Sequence, residues 1–202
     1  MRYSHTFGQF CCLKSYMMLL ELLSAVYPEL DKTTPEFGYN AQGKPFLLCR
    51  PDIHFSISHT KNAILVAISN APIGVDIEAF RSPSEALIAR TMNPTEQAAI
   101  TAANQEPLAP IKQRSCQSIA RRATINQQSC QSISASATFT AIWTRKEAVL
   151  KLRGTGIEGD LQHVLSGTEA IFTRIFPRKS YAFSIAQHAA SELEFSHDCC
   201  GY

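Results

Sequence analysis

Apolar positions along the chain fall into a helical block followed by short strands. Residues 13–27 are dense in Leu, Met, Val and Tyr and predict a core helix that ends before Pro28. Residues 30–42 carry no period and read as loop. Residues 46–49, 55–58 and 63–69 predict strands, the last rich in Ile and Val. Residues 73–78 alternate strictly and predict another strand. Ser82-Pro83 offers a helix start with Pro at the first helical position. Asn93-Pro94-Thr95-Glu96 offers a second, with Glu96 placed as in a capping box. Residues 143–152 predict a helix stopped by Gly154-Thr155-Gly156, and strands follow at 170–176 and 181–186.

Residues from about 105 to 138 differ in kind. Gln113-Arg114-Ser115-Cys116-Gln117-Ser118-Ile119 recurs 14 positions later as Gln127-Gln128-Ser129-Cys130-Gln131-Ser132-Ile133. Two copies are too few for a solenoid. The stretch is rich in Ser and Gln and short of large apolar residues, so it reads as an inserted, mobile loop. No Asp or Glu occurs from Pro107 to Lys146, while Lys112, Arg114, Arg121, Arg122, Arg145 and Lys146 do. This stretch reads as a solvated basic loop, with a docking surface for an acidic partner as the sharper alternative.

Composition narrows the class. The 202 residues are 45% apolar and 18% charged, as in ordinary globular proteins, and suffice for one domain or two small halves. A net charge of +2, without a basic run, argues against a nucleic-acid binder. The seven cysteines make no zinc spacing and read as reduced thiols of a cytoplasmic protein. The apolar segment near the N-terminus is interrupted by Glu21, is too short to span a bilayer, and lacks a signal-peptide cleavage site.

Two acidic clusters carry the candidate chemistry. In Gly74-Val75-Asp76-Ile77-Glu78 the strand period turns Val75 and Ile77 to one face and Asp76 and Glu78 to the other, roughly 6–7 Å apart at Cα. Carboxylates so close raise each other's pKa unless a cation lies between them, and oxygen ligands suit Mg²⁺. The competing reading is an exposed strand face with two solvated acids. In Trp143-Thr144-Arg145-Lys146-Glu147-Ala148-Val149-Leu150-Lys151, helical spacing places Trp143, Glu147 and Lys151 on one face. Glu147 then suits a metal and Lys151 a phosphate, against the plainer reading of a surface ion pair. Gly43-Lys44-Pro45 sets a cation on a rigid turn. Ser58-His59-Thr60 groups three hydrogen-bonding side chains that suit an anion.

In this order, Gly43-Lys44-Pro45, Phe55 to Thr60, Gly74 to Glu78 and Trp143 to Lys151 resemble the 4′-phosphopantetheinyl transferases, in particular the larger pseudo-dimeric type that modifies carrier proteins of fatty-acid, polyketide and nonribosomal-peptide synthesis. The resemblance runs from about residue 13 to about residue 186 with the insert left out. It implies an α+β fold of two similar halves, residues 1–70 and 71–202, with the active site in the cleft between them. It implies coenzyme A as donor, Mg²⁺ as metal and an acidic acyl or peptidyl carrier protein as partner. Beside the resemblance, the chain is expected to be a cytoplasmic monomer that engages neither nucleic acid nor membrane. Residue by residue, Asp76, Glu78 and Glu147 would hold the metal. Lys44, Pro45, Ser58 and His59 would bind the coenzyme A nucleotide, and Lys151 its diphosphate. Glu147 and Lys151 would be catalytic, Glu147 as base, as metal ligand or as both. The spacing from Glu78 to Trp143 is longer than expected of the family, by an amount comparable to the repeat.

Two other functions use the same groups. One is a non-catalytic module that binds coenzyme A or a carrier protein. The other is a metal-dependent hydrolase of nucleotide diphosphates.

Overall fold

The computed structural model describes residues 7–30, 35–105, 134–157 and 159–189. The repeat and the last residues of the chain lie outside them. The protein is α+β, with three antiparallel sheets, four α-helices and three short 3₁₀ turns among the described residues.

The apolar block forms α1 (Phe7–Val26), which starts earlier than its sequence pattern suggests and stops before Pro28. Leu19 and Leu23, one turn apart, drive its buried side into a cluster with Leu47, Ile53 and Phe55. Two strands follow, β1 (Phe37–Tyr39) and β2 (Pro45–Leu47), paired in a small hairpin. The loop expected over residues 30–42 is therefore partly strand. Phe37 is held edge-on between the rings of Tyr16 and Phe55, so tertiary contact rather than local pattern defines β1. The turn between these strands is tightened by Asn40, whose Oδ1 accepts from the N–H groups of Gln42 and Lys44. Gly43 takes the left-handed φ of +82° the turn requires.

Next, β3 (His54–His59) and β4 (Ile64–Ser69) form an antiparallel hairpin. Then β5 (Ile73–Ala79) joins the larger sheet, whose order is β5, β7 (Tyr181–Gln187), β6 (Ala170–Phe176). One edge of β5 pairs with β7. Along the other lies β3, which contributes hydroxyls in place of a backbone ladder. Ser56 Oγ accepts the N–H of Val75 at 3.0 Å and Ser58 Oγ that of Ile77 at 3.2 Å.

The helix starts are partly as the sequence predicts. α2 (Glu85–Thr91) is capped by Ser84, so Pro83 precedes the cap and is not the first helical residue. α3 (Pro94–Gln105) carries the expected capping box. Glu96 N–H donates to Asn93 Oδ1 at 2.9 Å, and Asn93 N–H returns to the Glu96 carboxylate at 2.8 Å.

The helix expected at 143–152 is the end of a longer one, α4 (Ala135–Arg153), capped by Ser134 and terminated by Gly154 at φ +68°. α4 crosses β5 and β7 with residues buried on nearly every side, from Ala137 and Phe139 to Leu150 and Leu152. It anchors the second apolar cluster with Met92, Ile100, Leu161, Val164 and Ala186. Its approach to β5 requires Gly74, where a Cβ would collide with the backbone of Ala148 and Leu152.

Candidate active site

Strand β5 presents Gly74, Asp76 and Glu78 on one face, and the Gly74 contact identifies it as the face toward α4. From α4, Trp143, Glu147 and Lys151 reach the same space. With Ser58, His59 and Arg81 they line a cleft of about 390 Å³. Asp76 is only 4% exposed, which rules out the solvated-acid reading. One of its oxygens, Oδ1, accepts from Lys151 Nζ at 2.7 Å and from Ser58 Oγ at 2.8 Å. The other, Oδ2, is buried and has no hydrogen-bond partner.

Glu78 and Glu147 share this field. Burial, followed by the Asp76 charge, pushes both carboxyls above the ordinary carboxylate range. Three carboxylates line this cleft with the ammonium of Lys151 and the guanidinium of Arg81, and one oxygen of Asp76 is left without a partner. In donor chemistry the three carboxylates suit an oxygen-ligated divalent cation. Among the described residues, however, no three His, Cys, Asp or Glu side chains stand close enough together to form a group that could hold a metal ion.

The expected nucleotide-binding residues divide between two places. His59 is exposed at the end of β3 and lines the cleft. Ser58 is buried, and its hydroxyl serves Asp76 and the Ile77 amide, so it positions the carboxylate from behind. Lys44 and Pro45 line an adjoining groove of about 240 Å³ with Gly154 and Gly156, and Lys151 lies on the wall common to groove and cleft. Lys44 is not a free cation on an exposed turn. Its ammonium is turned onto the backbone carbonyls of Lys151, Ile73 and Leu152, and burial lowers its pKa.

Two cations depart from the sequence reading. Lys146, assigned above to a basic surface, is 1% exposed; its ammonium pairs with Glu96 at 2.7 Å and donates to the Leu161 carbonyl at 2.8 Å. Among the other basic residues of that stretch, Arg145 is exposed, and Lys112, Arg114, Arg121 and Arg122 lie outside the described residues. Arg81 was not singled out. Its guanidinium lies over the rings of Trp143 and Phe139, 5.4 and 5.8 Å from their centroids. It makes no carboxylate ion pair among the described residues, and its only sequence signal is its place three residues after Glu78.

The chain belongs to the 4′-phosphopantetheinyl transferase superfamily, whose family profile matches residues 72–197. It is 37% identical over 79 residues to a 4′-phosphopantetheinyl transferase of Bacillus subtilis, covering 39% of this chain and 35% of that protein. It is 31% identical over 90 residues to the 4′-phosphopantetheinyl transferase Sfp of Bacillus subtilis strain 168, covering 45% and 40%. Over 42 residues it is 52% identical to the 4′-phosphopantetheinyl transferase gsp of Aneurinibacillus migulanus, covering 21% and 17%. The matched stretches thus span two-fifths or less of these relatives' length. No helix among the described residues is long and apolar enough to cross a membrane.

Proposed function

We propose that this protein transfers the 4′-phosphopantetheine arm of coenzyme A to a serine of an acyl or peptidyl carrier protein and releases 3′,5′-ADP. The observation that carries the reading is the buried Asp76 with one unpartnered carboxylate oxygen, in the lining of a cleft that Glu78, Glu147 and Lys151 complete. Asp76, Glu78 and Glu147 would hold Mg²⁺, which supplies charge neutralisation at the diphosphate and its departing oxygen.

The protein's own groups do the rest. Phosphoryl transfer needs positioning and charge balance more than covalent help. The carrier serine oxygen forms a bond to one phosphorus of the diphosphate as the bond from that phosphorus to the oxygen of 3′,5′-ADP breaks. Glu147, half-buried at the cleft wall with a carboxyl that burial makes more basic, receives the serine proton. Lys151, on the wall between cleft and groove, sets a positive charge against the diphosphate. The groove beside Pro45 takes the nucleotide, and exposed His59 meets a phosphate at the cleft lip.

Residues 1–70 and 71–202 are proposed as the two halves of a pseudo-dimer, an arrangement favoured by two apolar clusters that each stay on one side of that boundary. An acidic carrier, a monomeric state and a cytoplasmic location complete the proposal.

The test is intact-mass measurement of several apo carrier proteins incubated with coenzyme A, Mg²⁺ and the folded protein. Gain of one phosphopantetheine, abolished by Glu147→Gln, is expected. No gain on any carrier would overturn the reading. In that event, tight coenzyme A binding by calorimetry would indicate a non-catalytic module, and 3′,5′-ADP formed without carrier would indicate a hydrolase.

A further inference from the structure

The turn between β1 and β2 is fastened to the end of α4. Lys44 Nζ donates to the carbonyl oxygens of Lys151 at 2.6 Å, Ile73 at 3.2 Å and Leu152 at 3.4 Å. From the same turn, Asn40 Nδ2 donates to the carbonyl of Gly154 at 3.1 Å. Asn40 also binds the turn's own amides through Oδ1, at 3.0 Å to Gln42 and 2.8 Å to Lys44, so one side chain both stiffens the turn and ties it to the helix cap.

The chemistry of these contacts is specific. The last carbonyls of a helix have no partner within it and form the negative end of its dipole, which favours a cation. Lys151 and Leu152 are in the last turn of α4, and Ile73 opens β5. A single ammonium therefore touches the end of the helix that bears Glu147 and Lys151 and the start of the strand that bears Asp76 and Glu78. An ammonium has three protons, and three carbonyls surround this one, so its donors are matched in number without any ligand.

We infer that Lys44, with Asn40, is a positioning residue that holds Lys151 against Asp76, and that its ammonium is not a ligand of a coenzyme A phosphate. The inference rests on the transfer reaction proposed above. The resemblance implies the opposite role for Lys44, and the two roles separate cleanly in kinetics.

The experiment compares wild type with Lys44→Met and Asn40→Ala in steady-state transfer from coenzyme A and from dephospho-coenzyme A, which lacks the 3′-phosphate. A positioning role predicts that Lys44→Met lowers kcat by about 10- to 100-fold, the scale of a small misplacement of reacting groups. KM for coenzyme A should hold, and both donors should suffer equally. Asn40→Ala should fall the same way by a smaller factor. A raised KM for coenzyme A, with dephospho-coenzyme A unaffected, would overturn the inference in favour of a phosphate ligand. Unchanged kcat and KM in a folded variant would overturn it in favour of a purely structural contact. If Lys44→Met does not fold, Lys44→Gln keeps two donors and takes its place. Hydrogen exchange of peptides covering Leu150 to Thr155 separates this inference from the function it rests on. Faster exchange in the variant supports the clasp even if wild type transfers nothing, and unchanged exchange sinks it.

Discussion

Lys146→Met removes a charge from the interior one residue before Glu147. The wild-type ammonium is 1% exposed and its partner Glu96 11% exposed, so the pair lies almost wholly out of water. Breaking a buried pair by deleting one partner costs about 3–5 kcal/mol, because the remaining charge stays desolvated. The Glu96 carboxylate retains some solvent and the Asn93 amide, which puts the loss near the low end, at about 3 kcal/mol. For a domain of this size each kcal/mol lowers the melting temperature by about 2–4 °C, so a fall of about 6–12 °C is expected by calorimetry. Glu96→Gln/Lys146→Met removes the stranded charge and keeps an acceptor for the capping box. It should recover much of the loss, since replacing both members of a buried pair is often close to neutral. The reasoning fails if Lys146→Met melts within about 2 °C of wild type, less than the shift expected for 1 kcal/mol. It also fails if the double variant is no better than the single.

Gly74→Ala should destabilise by about 1–3 kcal/mol in urea unfolding, the range for overpacking, because its Cβ would meet backbone of α4 that cannot swing aside. A second test follows from Glu78 and Glu147, whose folded carboxyls lie above the ordinary 4.5. Acids raised on folding contribute stability below that value and lose it as pH rises through their folded pKa values. In metal-free protein, Glu147→Gln should therefore gain melting temperature relative to wild type as pH climbs from 4.5, and a constant difference would refute this. Arg81→Gln should leave the fold intact and lower kcat/KM for coenzyme A by about tenfold through loss of cleft charge. An unchanged value in the transfer assay would show that Arg81 only covers the Trp143 ring.

Strict alternation in β5 and the four-residue spacing of Glu147 and Lys151 make the acidic cleft legible in the sequence, because both periods report directly on which side chains share a face. The capping box at Asn93 was legible for the same reason: its partners are three residues apart. The first half of α4 was not, since a helix enclosed on nearly every side shows no polar stripe. Lys146 was misread because lysine is almost never fully buried unless it is paired, and its partner comes from α3. Ser58 reads as part of an anion-binding loop until β3 is seen beside β5, where its hydroxyl meets Asp76. Lys44 depends on carbonyls from β5 and from α4, and no local pattern encodes that meeting.

The seam between β3 and β5 has a mechanical meaning. Two serine hydroxyls bridge it where a continuous sheet would carry a full ladder of backbone bonds. Separating the strands there breaks those bridges and the Ser58–Asp76 hydrogen bond but no backbone ladder, so the join is expected to open at a lower free energy than either flanking sheet unfolds. The amides of Val75 and Ile77 would then exchange with solvent ahead of the β5 amides bonded to β7. Faster exchange at Val75 and Ile77 than at their β5 neighbours would mark this seam as the first line along which the two sheets part.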